Sequence, residues 1–166
     1  MSILNYVQEQ YTLNPAGTTD KYPLGYFNLF YDRLLTPRKN DNLTLLEIGS
    51  FRGESALLWR DYFKKGKIYS IDIIACHAIG EQPNITHIVS DAYTKEFVDS
   101  LEVREYDVII DDGPHTYESM VFFLQNYLQL LKSDGVAILE DIVDPNWTPK
   151  LVDLIDSSKY NIEVVH

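Results

Sequence analysis

Apolar positions recur at helical spacing in the first part of the chain and gather into short, nearly unbroken runs after it. Ile3, Leu4, Val7 and Tyr11 share one helical face, and Asn14-Pro15-Ala16-Gly17 breaks that pattern. A polar segment at 18–21 leads into Tyr26, Phe27, Phe30, Tyr31, Leu34 and Leu35. This second helix is expected to stop before Pro37, whose ring disfavours a helical residue ahead of it. Residues 1–40 therefore read as a helical segment packing on a core formed by 41–166, the two making one domain.

From residue 43 onward, strands and helices alternate. Strands are expected at 43–48, 67–73, 85–90 and 106–111, and another ends at Leu139 after the Lys132-Ser133-Asp134-Gly135 turn. Between them lie a helix at 54–64, with Ala56, Leu57, Trp59, Arg60 and Phe63 as its buried side, and a short helix at 95–101 capped by Thr94. Thr116 caps a helix with Met120, Val121, Leu124, Tyr127, Leu128 and Leu131 on one face. A helix at 151–157 and a sixth strand at 161–165 complete the pattern. Apolar strands separated by amphipathic helices imply an α/β fold: a Rossmann-like, doubly wound, mostly parallel sheet with helices on both faces. In such sheets ligands sit beyond the carboxyl ends of the strands.

Composition narrows the function classes. At 166 residues the chain suits one domain with one core. A net charge of −11 argues against a nucleic-acid partner, because phosphate binding draws on clustered Lys and Arg. No apolar run approaches the roughly 18 residues that span a bilayer. The N-terminus lacks the basic start and apolar stretch of a signal peptide. The lone Cys76 suits a reducing compartment, so a cytoplasmic protein is expected. The partners left are a small-molecule or glycan acceptor and a second copy of the chain in a homo-oligomer, with no nucleic acid and no membrane.

The chemistry-bearing residues fall at strand ends. One strand runs into Asp111-Asp112-Gly113-Pro114-His115 and another into Glu140-Asp141. Four acids and an imidazole gathered there suit a hard cation plus a base, since close like charges are otherwise costly. The bland alternative gives the aspartates helix-capping duty and leaves His115 solvated. In Leu46-Glu47-Ile48-Gly49-Ser50-Phe51-Arg52-Gly53, Gly49 permits close ligand approach, and Glu47 would suit a ligand ammonium. The spacing is not that of dinucleotide enzymes, and a plain strand-to-helix turn remains open. Asp72 can accept ribose hydroxyls or cap a helix. Asp91 can take an adenine amino group, with the small Ala92 letting the ring lie close.

With these motifs the chain resembles the class I S-adenosylmethionine-dependent methyltransferases. The resemblance implies that Glu47, the loop Gly49, Ser50, Phe51, Arg52 and Gly53, and Ser55 hold the methionine part of the cofactor. It implies ribose binding by Asp72 and adenine binding by Asp91 and Ala92. The Asp111-to-Tyr117 and Ile138-to-Ile142 stretches, with Thr19-Asp20-Lys21 before an aromatic-rich helix, are similar to one branch. That branch is the metal-dependent sugar O-methyltransferases of macrolide and rhamnoside tailoring, a family that also carries the label cephalosporin hydroxylase. The likeness implies Asp112, Glu140 and Asp141 as Mg²⁺ ligands, His115 as general base, and Asp111 on the cofactor side. Pro114 replaces the branch's usual small polar residue and is expected to shift the loop carrying His115. The family's seventh, antiparallel strand is expected to be missing, because the chain ends at His166.

The expected reaction is methyl transfer from S-adenosylmethionine to a sugar hydroxyl of a glycoside or glycoconjugate, with the hydroxyl deprotonated by His115. A catechol-type methyltransferase, a metal-dependent phosphate-ester or glycosyl-transfer enzyme, and a cofactor-binding module without activity are the alternatives. Trp147 either lines the acceptor pocket or packs. His77, His87 and His166 have no chemical company and are given no role.

Overall fold

The computed structural model describes residues 1–11, 19–80 and 82–165, so the predicted break at Asn14-Pro15-Ala16-Gly17 lies outside the described residues. Helix α1 (Ile3–Tyr11) buries Ile3 and Val7. Phe27–Tyr31 is wound as a π-helical turn, followed by α2 (Asp32–Leu35) and a 3-10 turn over Thr36–Arg38. Pro37 falls in the opening positions of that last turn, where its missing N–H costs nothing. The helical path therefore runs past the point where a stop was predicted.

Five strands follow: β1 (Thr44–Ile48), β2 (Lys67–Asp72), β3 (Ile85–Val89), β4 (Tyr106–Asp111) and β5 (Leu131–Leu139). They form one parallel sheet in the order β3-β2-β1-β4-β5. The chain moves outward from β1 to β3, then returns to place β4 on the other side of β1. That reversal opens a crevice at the carboxyl ends of β1 and β4, the usual ligand position in such sheets.

Strand alternation divides the core into two layers. Leu45, Ile68, Val108 and Ile110 face one layer with Ile3, Val7, Phe27, Tyr31, Leu35 and Trp59. Leu46, Ile48, Ile71 and Ile109 face the other, built from α4 (Lys95–Ser100), α5 (Tyr117–Asn126) and α6 (Trp147–Val152). In α3 (Glu54–Tyr62) the buried side is Ala56, Leu58, Trp59 and Tyr62, while Leu57 and Arg60 are only half-buried. Ala56, Trp59 and Phe63 are buried as predicted, the Trp59 ring packing against Tyr31 and Phe27, and Leu58 and Tyr62 are buried where Leu57 and Arg60 were expected. Thr94 and Thr116 cap α4 and α5, the latter in a reciprocal box with Ser119.

Three predicted boundaries change. β5 starts at Leu131, and residues 132–135 form an irregularity within it, between the pairs Tyr106 with Leu131 and Val108 with Val136. α6 starts at Trp147, where Asp144 turns the chain by accepting from the Asn146 N–H at 2.9 Å. The predicted sixth strand at 161–165 does not form. Ile162, Val164 and Val165 are exposed there and no ladder of hydrogen bonds holds them, so alternation alone does not make a strand. Among the described residues the sheet thus has five strands. No helix among them is long and apolar enough to cross a membrane.

Candidate active site

At the floor of the crevice between β1 and β4 two backbones nearly touch. Gly49 donates its N–H to the Ile71 carbonyl at 2.9 Å, and Asp112 donates to the Ile48 carbonyl at 2.9 Å. Gly49 has φ +87°, and a Cβ there would stand 2.5 Å from the Asp112 carbonyl carbon. Only glycine accepts both the backbone angle and the approach. Above this floor lies a cavity of about 990 Å³, at the upper end of the roughly 300–1,000 Å³ usual for small-molecule sites.

One side of the cavity gathers most of the predicted cofactor residues. Gly49, Ser50, Phe51, Arg52 and Ser55 line it from the first loop and helix, and Asp72, Asp91 and Ala92 from the ends of β2 and β3. Asp72 ties the loop down, accepting from the Phe51 N–H at 2.8 Å and the Ile74 N–H at 3.0 Å. Each carboxylate oxygen keeps acceptor capacity for a ligand hydroxyl. Asp91 accepts from the Tyr93 N–H at 2.9 Å. Phe51, at φ +43°, leaves its ring largely exposed, with the Arg52 guanidinium 5.1 Å from its centroid.

Three of the predicted cofactor residues lie outside the cavity wall. Gly53 opens α3 at φ +81°, where a Cβ would collide with Ile79 and Cys76. Glu47 is fully buried, taking a 2.7 Å bond from Ser55 on Oε2, with Lys21 Nζ 3.6 Å from Oε1. Burial raises its pKa. Asp111 is also buried, accepts from the Tyr93 hydroxyl, and is pushed up to about 7, chiefly by desolvation.

The other side holds the remaining acids, each fixed by a partner from the N-terminal segment. Lys21 has no exposed surface and reaches Asp112 Oδ2 at 2.5 Å, Glu140 Oε2 at 3.0 Å and Glu47 Oε1 at 3.6 Å. Burial alone would lower its pKa, but the three carboxylates outweigh that and raise it. Tyr31 donates to Glu140 Oε1 and Tyr26 to Asp141 Oδ1. In an α-helix, residues five apart point about 140° apart. The wider π turn over Phe27–Tyr31 swings these two phenols toward one side.

Asp112 and Asp141 are thus each held by one oxygen and present the other. His115 Nε2 lies 3.7 Å from Asp112 Oδ1 and 3.8 Å from Asp141 Oδ2. One ligand atom from each of Asp112, His115 and Asp141 falls within 4.8 Å of the others, and Glu140 is not in that group. Two carboxylate oxygens fit Mg²⁺, which binds a few carboxylates and keeps several waters. His115 and Asp141 both have positive φ, 53° and 54°. Such strain, on the order of 1–3 kcal/mol per residue, concentrates at functional sites. Pro114 lines the cavity beside His115. Trp147 packs its ring 5.6 Å from that of Tyr117.

A sequence profile of the methyltransferase domain family matches residues 46–142, more than half of the chain. The chain belongs to this family. This methyltransferase domain is 29% identical over 134 residues to demethylmacrocin O-methyltransferase of Streptomyces fradiae, covering 75% of this chain and 33% of the relative. It is 28% identical over 133 residues to mycinamicin VI 2''-O-methyltransferase of Micromonospora griseorubida, covering 75% of this chain and 33% of the relative. The chain therefore spans about a third of the length of these curated relatives. Its fold matches the MycE methyltransferase of mycinamycin biosynthesis, solved with Mg and S-adenosylhomocysteine, at a TM-score of 0.72 and 25% identity. That match covers 86% of this chain and 41% of MycE.

Sequence reasoning about single residues missed the partners that organise the acids of this candidate site. Lys21 carries no periodic signal, Tyr26 and Tyr31 read as part of a helix face, and Tyr93 drew no reading. The signal available was the excess of tyrosine, 12 in 166 residues, ahead of and between the acid-bearing strands.

Proposed function

We propose that this chain binds S-adenosylmethionine and Mg²⁺ and catalyses O-methylation of a sugar hydroxyl in a glycoside or glycoconjugate. The observation that carries this is the pair Asp112 and Asp141, each anchored by one oxygen and offering the other to His115 at the mouth of the cofactor-sized cavity. The sugar O-methyltransferases among its relatives support the acceptor class.

In this reading the loop from Gly49 to Arg52 holds the methionine end, Asp72 the ribose hydroxyls and Asp91 the adenine amino group. Asp112 and Asp141 hold the cation, which would acidify the acceptor hydroxyl and fix its orientation. His115 takes the proton on Nε2 as the acceptor oxygen bonds the methyl carbon and the carbon–sulfur bond breaks, leaving S-adenosylhomocysteine. An imidazole suits that duty better than binding a hard cation, which favours oxygen.

Calorimetry with S-adenosylhomocysteine, followed by transfer of labelled methyl to a panel of glycosides and catechols with and without EDTA, tests the reading. Cofactor binding with Mg²⁺-dependent labelling of a glycoside is expected. Absence of adenosyl binding overturns the cofactor assignment, and labelling that survives EDTA overturns the metal.

A further inference from the structure

A chain of polar side chains links β3 to the loop that follows β1. His87 on β3 is the register partner of Ser70 on β2, so the histidine has chemical company that its place in the sequence does not reveal. On one side of its ring, Nε2 accepts from the Cys76 backbone N–H at 3.1 Å. On the other, Nδ1 lies 3.3 Å from Ser70 Oγ. The Ser70 hydroxyl is bonded to that of Ser50, both are buried, and Ser50 Oγ reaches the Ile71 carbonyl at 3.3 Å.

The two ends of this chain fix its direction. A backbone N–H can only donate, so Nε2 of His87 carries no proton, and a neutral imidazole then holds its hydrogen on Nδ1. Nδ1 donates to Ser70, which leaves the Ser70 proton for Ser50 and the Ser50 proton for the Ile71 carbonyl. That carbonyl also accepts from the Gly49 N–H at 2.9 Å. The Cys76 side acts on the far end of the same loop. A Cβ on Gly53 would stand 2.9 Å from the Cys76 sulfur, so the segment that His87 holds is packed directly against that glycine. One imidazole thus reaches both ends of the loop, Ser50 through Ser70 and Gly53 through Cys76.

We propose that His87, with its hydrogen on Nδ1, is a positioning residue of the cofactor loop, holding Ser50 and Gly53 without touching the ligand. The inference rests on the S-adenosylmethionine reading given above and deepens it. Ser50 lines the cavity, so an error in its placement is felt by whatever the loop binds.

The test uses the full chain, with S-adenosylhomocysteine affinity read by calorimetry and folding by circular dichroism. His87→Asn keeps a donor where Nδ1 stands and loses the bond from Cys76. His87→Gln offers its carbonyl oxygen to Cys76 and loses the bond to Ser70, and His87→Leu loses both. Each single loss is expected to weaken the ligand about threefold, and His87→Leu about tenfold. A histidine with only a structural role would lower the thermal midpoint in all three and leave the affinity unchanged, which overturns the proposal. If His87→Asn and His87→Gln bind no better than His87→Leu, the proposal also falls, because the loss then follows the ring and not its two nitrogens. Heteronuclear NMR of the wild-type imidazole reads the tautomer with no ligand present. Hydrogen on Nδ1 is expected, and hydrogen on Nε2 overturns the relay. If none of the variants folds, the tautomer decides. Wild-type protein that binds no S-adenosylhomocysteine removes the cofactor reading itself, an outcome distinct from a wild type that binds and variants that do not respond.

Discussion

Gly49 and Asp112 pass so closely that a single added methyl at Gly49 would stand 2.5 Å from the Asp112 carbonyl carbon. The glycine thus lets the segments that follow β1 and β4 pass in contact. Gly49→Ala adds a clash to an unfavourable backbone angle, and a loss of about 2–4 kcal/mol is expected. Urea denaturation measures it directly. An unchanged midpoint would show that the two strand ends can separate without cost.

His115 takes the proton in the proposed reaction, and its φ of +53° limits which replacements leave the loop in place. Among residues other than glycine, asparagine is one of the few that tolerate that region, and it lacks an imidazole. His115→Asn should therefore cut methyl transfer roughly 10²- to 10⁴-fold while S-adenosylhomocysteine binds as before. Equal loss of cofactor binding would point to a collapsed loop and against a base.

Much of this architecture was legible in the chain because it depends on local pattern. The apolar runs that end in Asp72 and Asp111, and the one that ends at Val89 just before Asp91, mark strands, and Thr94 and Thr116 mark helix starts by their side-chain chemistry. What was not legible depends on contacts distant in sequence. Lys21 meets Glu140 across 119 positions, and no spacing rule brings them together. Glu47 reads in sequence as an acid awaiting a ligand ammonium, and in the fold an ammonium already stands beside it, that of Lys21. The residues at 161–165 read like a strand but pair with no strand among the described residues, so their pattern misleads.

The half-buried Tyr93 and the buried Asp111 form a pair, the phenol donating to the carboxylate Oδ1. Tyr93→Phe leaves that oxygen short of a partner, and a destabilisation of about 1–3 kcal/mol is expected. A double-mutant cycle with Asp111→Ala should return a coupling on the order of 0.5–3 kcal/mol. Additive losses would mean that the two side chains do not depend on each other.

The same carboxyl makes stability depend on pH in a definite direction. Desolvation pushes Asp111 up to about 7 in the folded protein, against roughly 3.9 when unfolded. Between those values the folded chain holds a proton that the unfolded chain releases. Its contribution to stability is fully present below about pH 4 and is lost as pH rises through about 7. Asp111→Asn keeps an oxygen acceptor for Tyr93 and has no proton to lose. In EDTA, the wild type should therefore lose stability relative to Asp111→Asn between about pH 4 and about pH 7, by on the order of 1–4 kcal/mol in all. Urea midpoints at several pH values give the comparison, and parallel curves for the two proteins would show that Asp111 ionises as readily in the fold as in the open chain.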